Sequence, residues 1–347
     1  MARAPIKTKT VAEQVTVGGS KLHTRLKDIP PPNFERVVST GSALLDLTIS
    51  GGRIEGGGVP YGMLMEIFGP SGAGKTSILA EICGSAAVRG GTYDIKDPEA
   101  RLDEEYSRIY GISINKDNYT RPDTVTAVFD EIWSAVGDPN KNFHVSGIDS
   151  LAALSTNLEL EKGDKMGMRR AKEFSEALRK TCRMIANNKW LVCCTNQIRQ
   201  GDGGETTPGG NAFPFYASLR LRIGPSKKGW QVEKGTKLYN KDHKKIIGIR
   251  STVYVRKSSI DEPYRSCDVF IIFGYGVHDV MTNLQFVKDI TGDTKYPAVV
   301  KSFQAMDHAV AYIEENGLEQ RLREEVEKYW NELEDKFKTK RKPKVRF

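Results

Sequence analysis

Gly69-Pro70-Ser71-Gly72-Ala73-Gly74-Lys75-Thr76 is the stretch on which the reading of this chain turns. Its spacing is GxxxxGK[ST], and it stands between an apolar run, Leu64 to Phe68, and a helix-forming run, Ser77 to Val88. A strand that feeds a helix through such a loop forms a phosphate cradle. The glycines let backbone N–H groups converge on phosphate oxygens, the helix that starts near Ser77 points its positive end at them, and Lys75 neutralises the β and γ phosphates. Thr76 is placed to hold Mg²⁺. A carboxylate on a neighbouring strand completes such a site, and the candidate is Asp149, which closes the run Phe143 to Ile148. With His144, Ser146 and Gly147 that run is less apolar than a buried parallel strand normally is. The other reading of Asp149 is a cap on the segment that follows.

Outward from this loop, the chain from Val37 to about Phe273 alternates short apolar runs with amphipathic stretches, the rhythm of a sheet covered by helices. Strands are predicted at 64–68, 91–95, 143–148, 190–195, 218–223, 248–255 and 267–273, and helices at 77–88, 123–136, 168–187 and 317–338. The expected fold class is α/β, a mostly parallel twisted sheet flanked by helices, with a small helical C-terminal appendage. Residues 1–33 are polar and end in Pro30, Pro31 and Pro32, as a flexible arm does. The expected organisation is an arm at 1–33, a core at 34–276, a partly helical region at 277–335 and a basic tail at 336–347.

Of 347 residues, 39% are hydrophobic and 28% charged, a globular composition. No apolar run reaches the 18 or so residues that span a bilayer, and the first ten residues lack a signal peptide's apolar middle. The expectation is a cytosolic protein without membrane association. Five cysteines, with no CxxC pair and with Cys193 and Cys194 adjacent in an apolar run, predict reduced thiols rather than disulfides or zinc. The net charge is +8, and the last twelve residues carry seven basic side chains and no acid, so the body is nearly neutral. A tail of this kind is suited to polyanions, nucleic acid first.

Further segments give the chain a family resemblance. Ser39-Thr40-Gly41-Ser42 precedes Leu44 and Asp46, and Asp97-Pro98-Glu99 precedes Leu102-Asp103 and Tyr106. Ile148-Asp149-Ser150-Leu151-Ala152-Ala153-Leu154, Gly163-Asp164 with Met166-Gly167, and Asn196-Gln197-Ile198-Arg199 follow in order, then Glu205-Thr206-Thr207, Gly209-Gly210-Asn211-Ala212 and Phe215-Tyr216-Ala217-Ser218. Together with Gly69 to Thr76, and from about Ser39 to Gly276, the chain resembles the RecA family of DNA recombinases, and more distantly the phage UvsX-type recombinases.

The resemblance implies a RecA-like P-loop NTPase core and a DNA-dependent ATPase, with ATP and Mg²⁺ as ligands. It implies partners in single-stranded DNA, duplex DNA and further copies of the chain, in a filament or ring, and a role in homologous pairing and strand exchange. Glu99 aligns with the general base that orients the attacking water, and Gln197 with the residue that senses the γ-phosphate; Lys75 joins them as catalytic. Asp103 and Tyr106 stand where family members contact adenine, and Lys257 where they reach a neighbour's ATP. Two segments match the family's DNA-binding loops, the first with Lys165, Met166, Gly167, Arg169 and Arg170, the second with Arg199, Thr206, Thr207, Gly209, Gly210 and Asn211. Backbone N–H groups and guanidinium donors suit both to phosphates.

The chain departs from the family at several places. The second loop has no large apolar side chain between Gln200 and Gly209, Ser259 and Pro214 stand where family members have lysines, and the C-terminus is basic rather than acidic. Unstacking a base step costs a few kcal/mol and is normally offset by an inserted side chain, so tight single-strand binding with slow strand exchange is expected. The alternative reading is a recombination accessory or loader that binds ATP and DNA with little turnover. A metabolite kinase is disfavoured for want of an acceptor pocket and lid, and a hexameric helicase would differ by forming closed rings.

Overall fold

The apolar runs at 63–68 and 190–194 lie side by side at the centre of the sheet, and their alternate residues divide between two cores. The computed structural model describes residues 36–136, 138, 143–156, 167–201 and 204–338, the side chains of 167–170 and 201 excepted. In chain order its elements begin β1 (Val37–Val38), α1 (Ala43–Ser50), β2 (Val59–Pro60), β3 (Met63–Gly69), α2 (Lys75–Val88), β4 (Thr92–Lys96), α3 (Glu104–Arg108), β5 (Tyr119–Thr120), α4 (Val125–Ala135) and β6 (His144–Ile148). They continue α5 (Gly167–Asn188), β7 (Trp190–Gln197), β8 (Arg199–Gly201), β9 (Gly204–Thr206), α6 (Ala212–Tyr216), β10 (Leu219–Pro225), β11 (Gln231–Leu238), β12 (Lys241–Ser258), β13 (Ser266–Ile272) and β14 (Gly276–Val277). The remaining elements are α7 (Asp279–Thr291), β15 (Tyr296–Ala298), β16 (Lys301–Phe303), α8 (Met306–Glu315) and α9 (Glu319–Phe337).

A ten-stranded sheet runs β14-β13-β12-β10-β3-β7-β6-β4-β5, with β11 paired to β12. From β10 to β5 it is parallel, and from β10 to β14 antiparallel. This is the mostly parallel sheet flanked by helices that the sequence predicts. Successive strand residues face opposite ways. Met65, Ile67, Leu191 and Cys193 therefore join the core under α2, while Leu64, Val192 and Cys194 join the core under α4 and α5. The same alternation parts Cys193 from Cys194, and all five cysteines are free thiols, four of them buried.

The polar run of β6 has a structural reason. His144 and Ser146 lie beside β4, in register with Thr92 and Asp94. Asp94 Oδ1 is 2.5 Å from Lys96 Nζ and accepts from Ser146 Oγ at 2.7 Å, and its Oδ2 lies 3.0 Å from His144 Nε2. All four side chains are buried. Burial pushes the Asp94 pKa up, but the Lys96 ammonium and the His144 ring outweigh it and hold the carboxyl well below its ordinary range. Two polar strands thus pair where apolar ones would be expected, because each satisfies the other.

The C-terminal helices share the core under α2, through Leu284, Val287, Ile313, Leu322, Val326 and Trp330. No helix among the described residues is long and apolar enough to cross a membrane. The sequence predicts a single strand at 248–255. The structure extends it to Lys241–Ser258 and adds β11 as its partner, a ribbon whose polar residues carry no apolar alternation to read.

Removing one partner of a buried ion pair leaves the other charge uncompensated and costs about 3–5 kcal/mol. Lys96→Met is expected to lower unfolding free energy by that amount in urea titrations at neutral pH. Because the Asp94 pKa is depressed on folding, its contribution is present above the ordinary carboxylate range and is lost as pH falls through the folded value.

Candidate functional site

The loop between β3 and α2 is closely packed at two glycines. A Cβ on Gly69 would stand 1.9 Å from the Ile223 carbonyl oxygen of β10, and one on Gly74 would stand 2.1 Å from Ile271 Cδ1 of β13. Gly74 has φ 95°, in the left-handed region that favours glycine, and turns the chain directly into α2 at Lys75, two residues before the helix start read from the sequence. Ser251 Oγ of β12 donates to the Ala73 carbonyl at 2.9 Å and anchors the loop to the antiparallel half of the sheet.

Lys75 Nζ donates to the carbonyls of Gly69 at 3.1 Å and Pro70 at 2.8 Å. Burial lowers its pKa, and the carboxylates of Asp149 and Glu99 act the other way. Thr76 Oγ1 donates to Asp149 Oδ2 at 2.6 Å, and Thr195 Oγ1 donates to Asp149 Oδ1. Asp149 is 3% exposed; burial raises its pKa, and the two hydroxyls lower it in part. It is held by α2 and β7 rather than spent as a helix cap. One hydroxyl and one carboxylate form the sparse oxygen set by which Mg²⁺ is held when phosphates and water complete its shell, so these residues fit that ion.

Beside this pair Glu99 Oε1 accepts from Ser150 Oγ, and Gln197 Nε2 lies 3.4 Å from the same oxygen. Arg101 Nε is 2.5 Å from Glu99 Oε2. Lys75, Thr76, Glu99, Asp149 and Gln197 line one cavity of about 220 Å³ with Ser71, Gly72 and Gly74. Its other walls are the Tyr106 and Tyr110 rings and Ile249, Ile271 and Phe273 of the antiparallel half. Tyr110 O–H donates to Ser77 Oγ at 3.0 Å, and the two Tyr hydroxyls are 2.9 Å apart. Asp103 is not among the lining residues; it caps α3, accepting from the Tyr106 amide at 2.7 Å. Lys257 lies away from the cavity, donating to the carbonyls of Pro214 and Phe215, each at 2.8 Å.

Gln197 ends β7, and two residues later, in the segment that the resemblance marks as the second loop, the chain enters the hairpin β8–β9. Arg222 of β10 holds this hairpin with a two-pronged grip on Glu205, at 2.7 Å from Nε and 2.5 Å from Nη2. At its far end, Asn196 Nδ2 donates to the Pro208 carbonyl at 3.1 Å and to Glu66 Oε1 at 2.9 Å, while Arg220 Nε donates to Glu66 Oε2 at 2.6 Å. Arg199, Thr206, Gly210 and Asn211 are exposed, whereas Thr207 and Gly209 are buried. Lys165 and Met166 lie outside the described residues. Gly167, Arg169 and Arg170 open α5, with side chains outside the described ones.

The reading of the sequence missed Tyr110, Arg101 and the apolar walls from β12 and β13, which only the fold brings to the loop. It also missed Glu66, although a carboxylate inside the run Met63-Leu64-Met65-Glu66-Ile67-Phe68 signals a buried partner, because an unpaired charge there would not be tolerated.

A glycine-rich loop opening a helix at the carboxyl end of a parallel strand, with a hydroxyl–carboxylate pair and an acid facing one cavity, defines a P-loop nucleotide-binding protein. The family model of the RecA N-terminal domain matches residues 25–278. Protein RecA of Crocosphaera subtropica is 33% identical over 317 residues, covering 84% of this chain and 83% of its own. Protein RecA of Caldanaerobacter subterraneus is 31% identical over 327 residues, covering 89% and 90%, and that of Synechocystis sp. 31% over 322, covering 87% and 85%. The chain belongs to the RecA family, the recombinases of DNA recombination and repair.

Lys75→Ala is expected to weaken nucleotide binding by about 100-fold or more, the loss of two charge-assisted hydrogen bonds at roughly 1.5 kcal/mol each. Titration with a fluorescent ATP analogue checks it; affinity within threefold of the parent would remove Lys75 from the phosphate site.

Proposed function

We propose that the chain is a DNA-dependent ATPase that assembles on single-stranded DNA and promotes homologous pairing with a duplex. The observation that carries this reading is the contact of Glu99 with Gln197. It joins an acid poised over the phosphate loop to the strand end from which the exposed hairpin β8–β9 departs.

Lys75 and the loop amides bind the β and γ phosphates, and the tyrosine pair with Ile249 and Phe273 forms the apolar wall suited to a base. Thr76 and Asp149 would hold Mg²⁺, which supplies charge neutralisation across the phosphates when bound. Glu99 accepts a proton from the water that attacks the γ-phosphorus, and Ser150 and Arg101 fix the orientation of its two oxygens. Gln197 donates toward the same region, so a γ-phosphate that draws its amide away from Glu99 also pulls on the strand that leads into Arg199 and the hairpin. The grip of Arg222 on Glu205 carries that pull back to β10, whose Ile223 packs on Gly69. Arg199 and the exposed backbone of the hairpin then contact phosphates of the bound strand. A scaffold with little turnover has no use for an acid held this way, so turnover is favoured over the loader reading.

Self-assembly is supported by Phe215, 75% exposed on α6, whose backbone carbonyl also receives Lys257. The position of Lys257 beside this exposed ring, and outside the lining of its own cavity, supports a role on a neighbour's nucleotide.

Glu99→Gln should bind nucleotide as the parent does but lose on the order of 10²- to 10⁴-fold in DNA-stimulated phosphate release, since an amide cannot accept the proton. Equal rates in the two proteins would remove Glu99 from the chemistry. Lys257→Ala should eliminate the DNA-stimulated rate while sparing nucleotide affinity. Mixed with parent in excess it should also depress parental turnover, and turnover untouched in co-assembled mixtures would show that the site does not span two subunits.

A further inference from the structure

The ribbon of β11 and β12 leaves the sheet. Strand β12 pairs with β10 only as far as Ser251 and with β13 only as far as Gly248; the Ile247 carbonyl still accepts from the Phe273 N–H at 2.8 Å, and from Ile246 outward the strand pairs with β11 alone. The six cross-strand pairs from Glu233↔Ile246 to Leu238↔Lys241 therefore stand free. At 3.3–3.4 Å per residue they project about 20 Å past the edge of the sheet that carries the phosphate loop. Every residue from Glu233 to Ile246 is exposed. The tip is Tyr239-Asn240 with φ 49° and 60°, a two-residue turn of the kind that matches ribbon twist, and Tyr239 is 92% exposed. An arm that buries nothing adds no core to the protein.

Its charges are sorted by face. Cross-strand partners share a face, so Lys234, Thr236 and Leu238 lie with Lys245, His243 and Lys241. The only two acids of the arm, Glu233 and Asp242, lie on the opposite face, where Glu233 meets Lys244 at 3.9 Å. The first face thus holds three lysines and a histidine with no carboxylate. Lys234 stands directly opposite Lys245, a like-charge pairing that destabilises a ribbon. Guarding a sheet edge against aggregation requires only scattered charges on the outer strand, not a one-signed face built across both strands at the expense of stability.

We infer that this face is a binding arm for the phosphate backbone of duplex DNA. A two-stranded ribbon fits the B-form major groove, about 12 Å wide, with lysines reaching phosphates on its walls. A single strand is taken by a groove with aromatic platforms, and this arm has neither groove nor row of rings. The partner's identity rests on the recombinase reading above, in which a duplex must be brought to a nucleoprotein already occupied by a single strand. The arm rises next to the nucleotide wall, since Ile249 at its root lines that cavity.

The test compares the full chain with a variant carrying Lys234→Gln, Lys241→Gln and Lys245→Gln, and with a control carrying Lys237→Gln and Lys244→Gln on the other face. Binding to a mixed-sequence duplex is followed across a salt series, with single-strand-stimulated ATP hydrolysis measured in parallel. The triple variant is expected to lose about tenfold or more in duplex affinity at low salt. Its slope of log K against log salt should be shallower by about 2.7, at 0.9 per phosphate contact. The control should shift the slope less, and hydrolysis should be unchanged in both. An unchanged duplex slope, an equal loss in the control, a loss confined to single-strand binding, or a parent that binds no duplex would each overturn the arm. Absent DNA-stimulated hydrolysis in the parent would instead sink the recombinase reading, while the duplex slopes still decide the arm.

Discussion

The rest of the site depends on a single buried carboxylate. Taking Asp149 out of water is costly unless its oxygens are filled, and they are filled from two directions: Thr76 from the first turn of α2 and Thr195 from β7. That arrangement ties the helix of the phosphate loop to the two strands on one side of β3. On the other side the Gly69 contact with Ile223 ties the same loop to β10. The loop is thus gripped from both neighbours of its own strand, and its amides are oriented before any phosphate arrives. Preorganisation of this kind lets fixed dipoles act without reorganising at the moment of reaction.

The sheet contributes unequally on its two sides. The parallel half supplies the polar groups, because parallel strands deliver their carboxyl ends, and so Gly69, Asp149 and Gln197, to one edge. The antiparallel half supplies the apolar wall and the Ser251 anchor, because β12 and β13 cross that edge rather than stopping there. Strand β12 continues past it into the lysine-faced arm. The phosphate-loop cavity, the exposed hairpin β8–β9 and the basic ribbon therefore all rise from the same edge of one sheet.

Two buried ionic groups show how the protein places charge inside. Asp94 with Lys96 and His144 joins β4 to β6, and Glu66 with Arg220 and Asn196 joins β3, β10 and the root of the second loop. Buried pairs of this type add little net stability compared with apolar packing, but breaking one is expensive. Each links neighbouring strands, and Asn196 of the Glu66 group also donates to the Pro208 carbonyl at the end of the hairpin.

What the sequence determined by itself was whatever local chemistry demands. Gly69 to Thr76 can be read without a fold, because glycine at tight positions followed by Lys and Thr has few other uses, and the apolar runs of β3 and β7 follow from the need to bury both faces of a parallel strand. Glu99 and Gln197 were legible only through resemblance, since a loop acid and a strand-end amide 98 positions apart carry no pattern of their own. The tertiary structure decided which distant groups meet them: Ile249 and Ile271 reach the cavity by strand order, Arg101 and Tyr110 from the segments beside α3, and Thr207 and Gly209, which the resemblance assigns to DNA, are buried, Gly209 against Phe174. It also decided that Lys234, Lys241 and Lys245 share one face, because cross-strand register, which composition does not encode, sets Lys234 against Lys245 and turns both acids away.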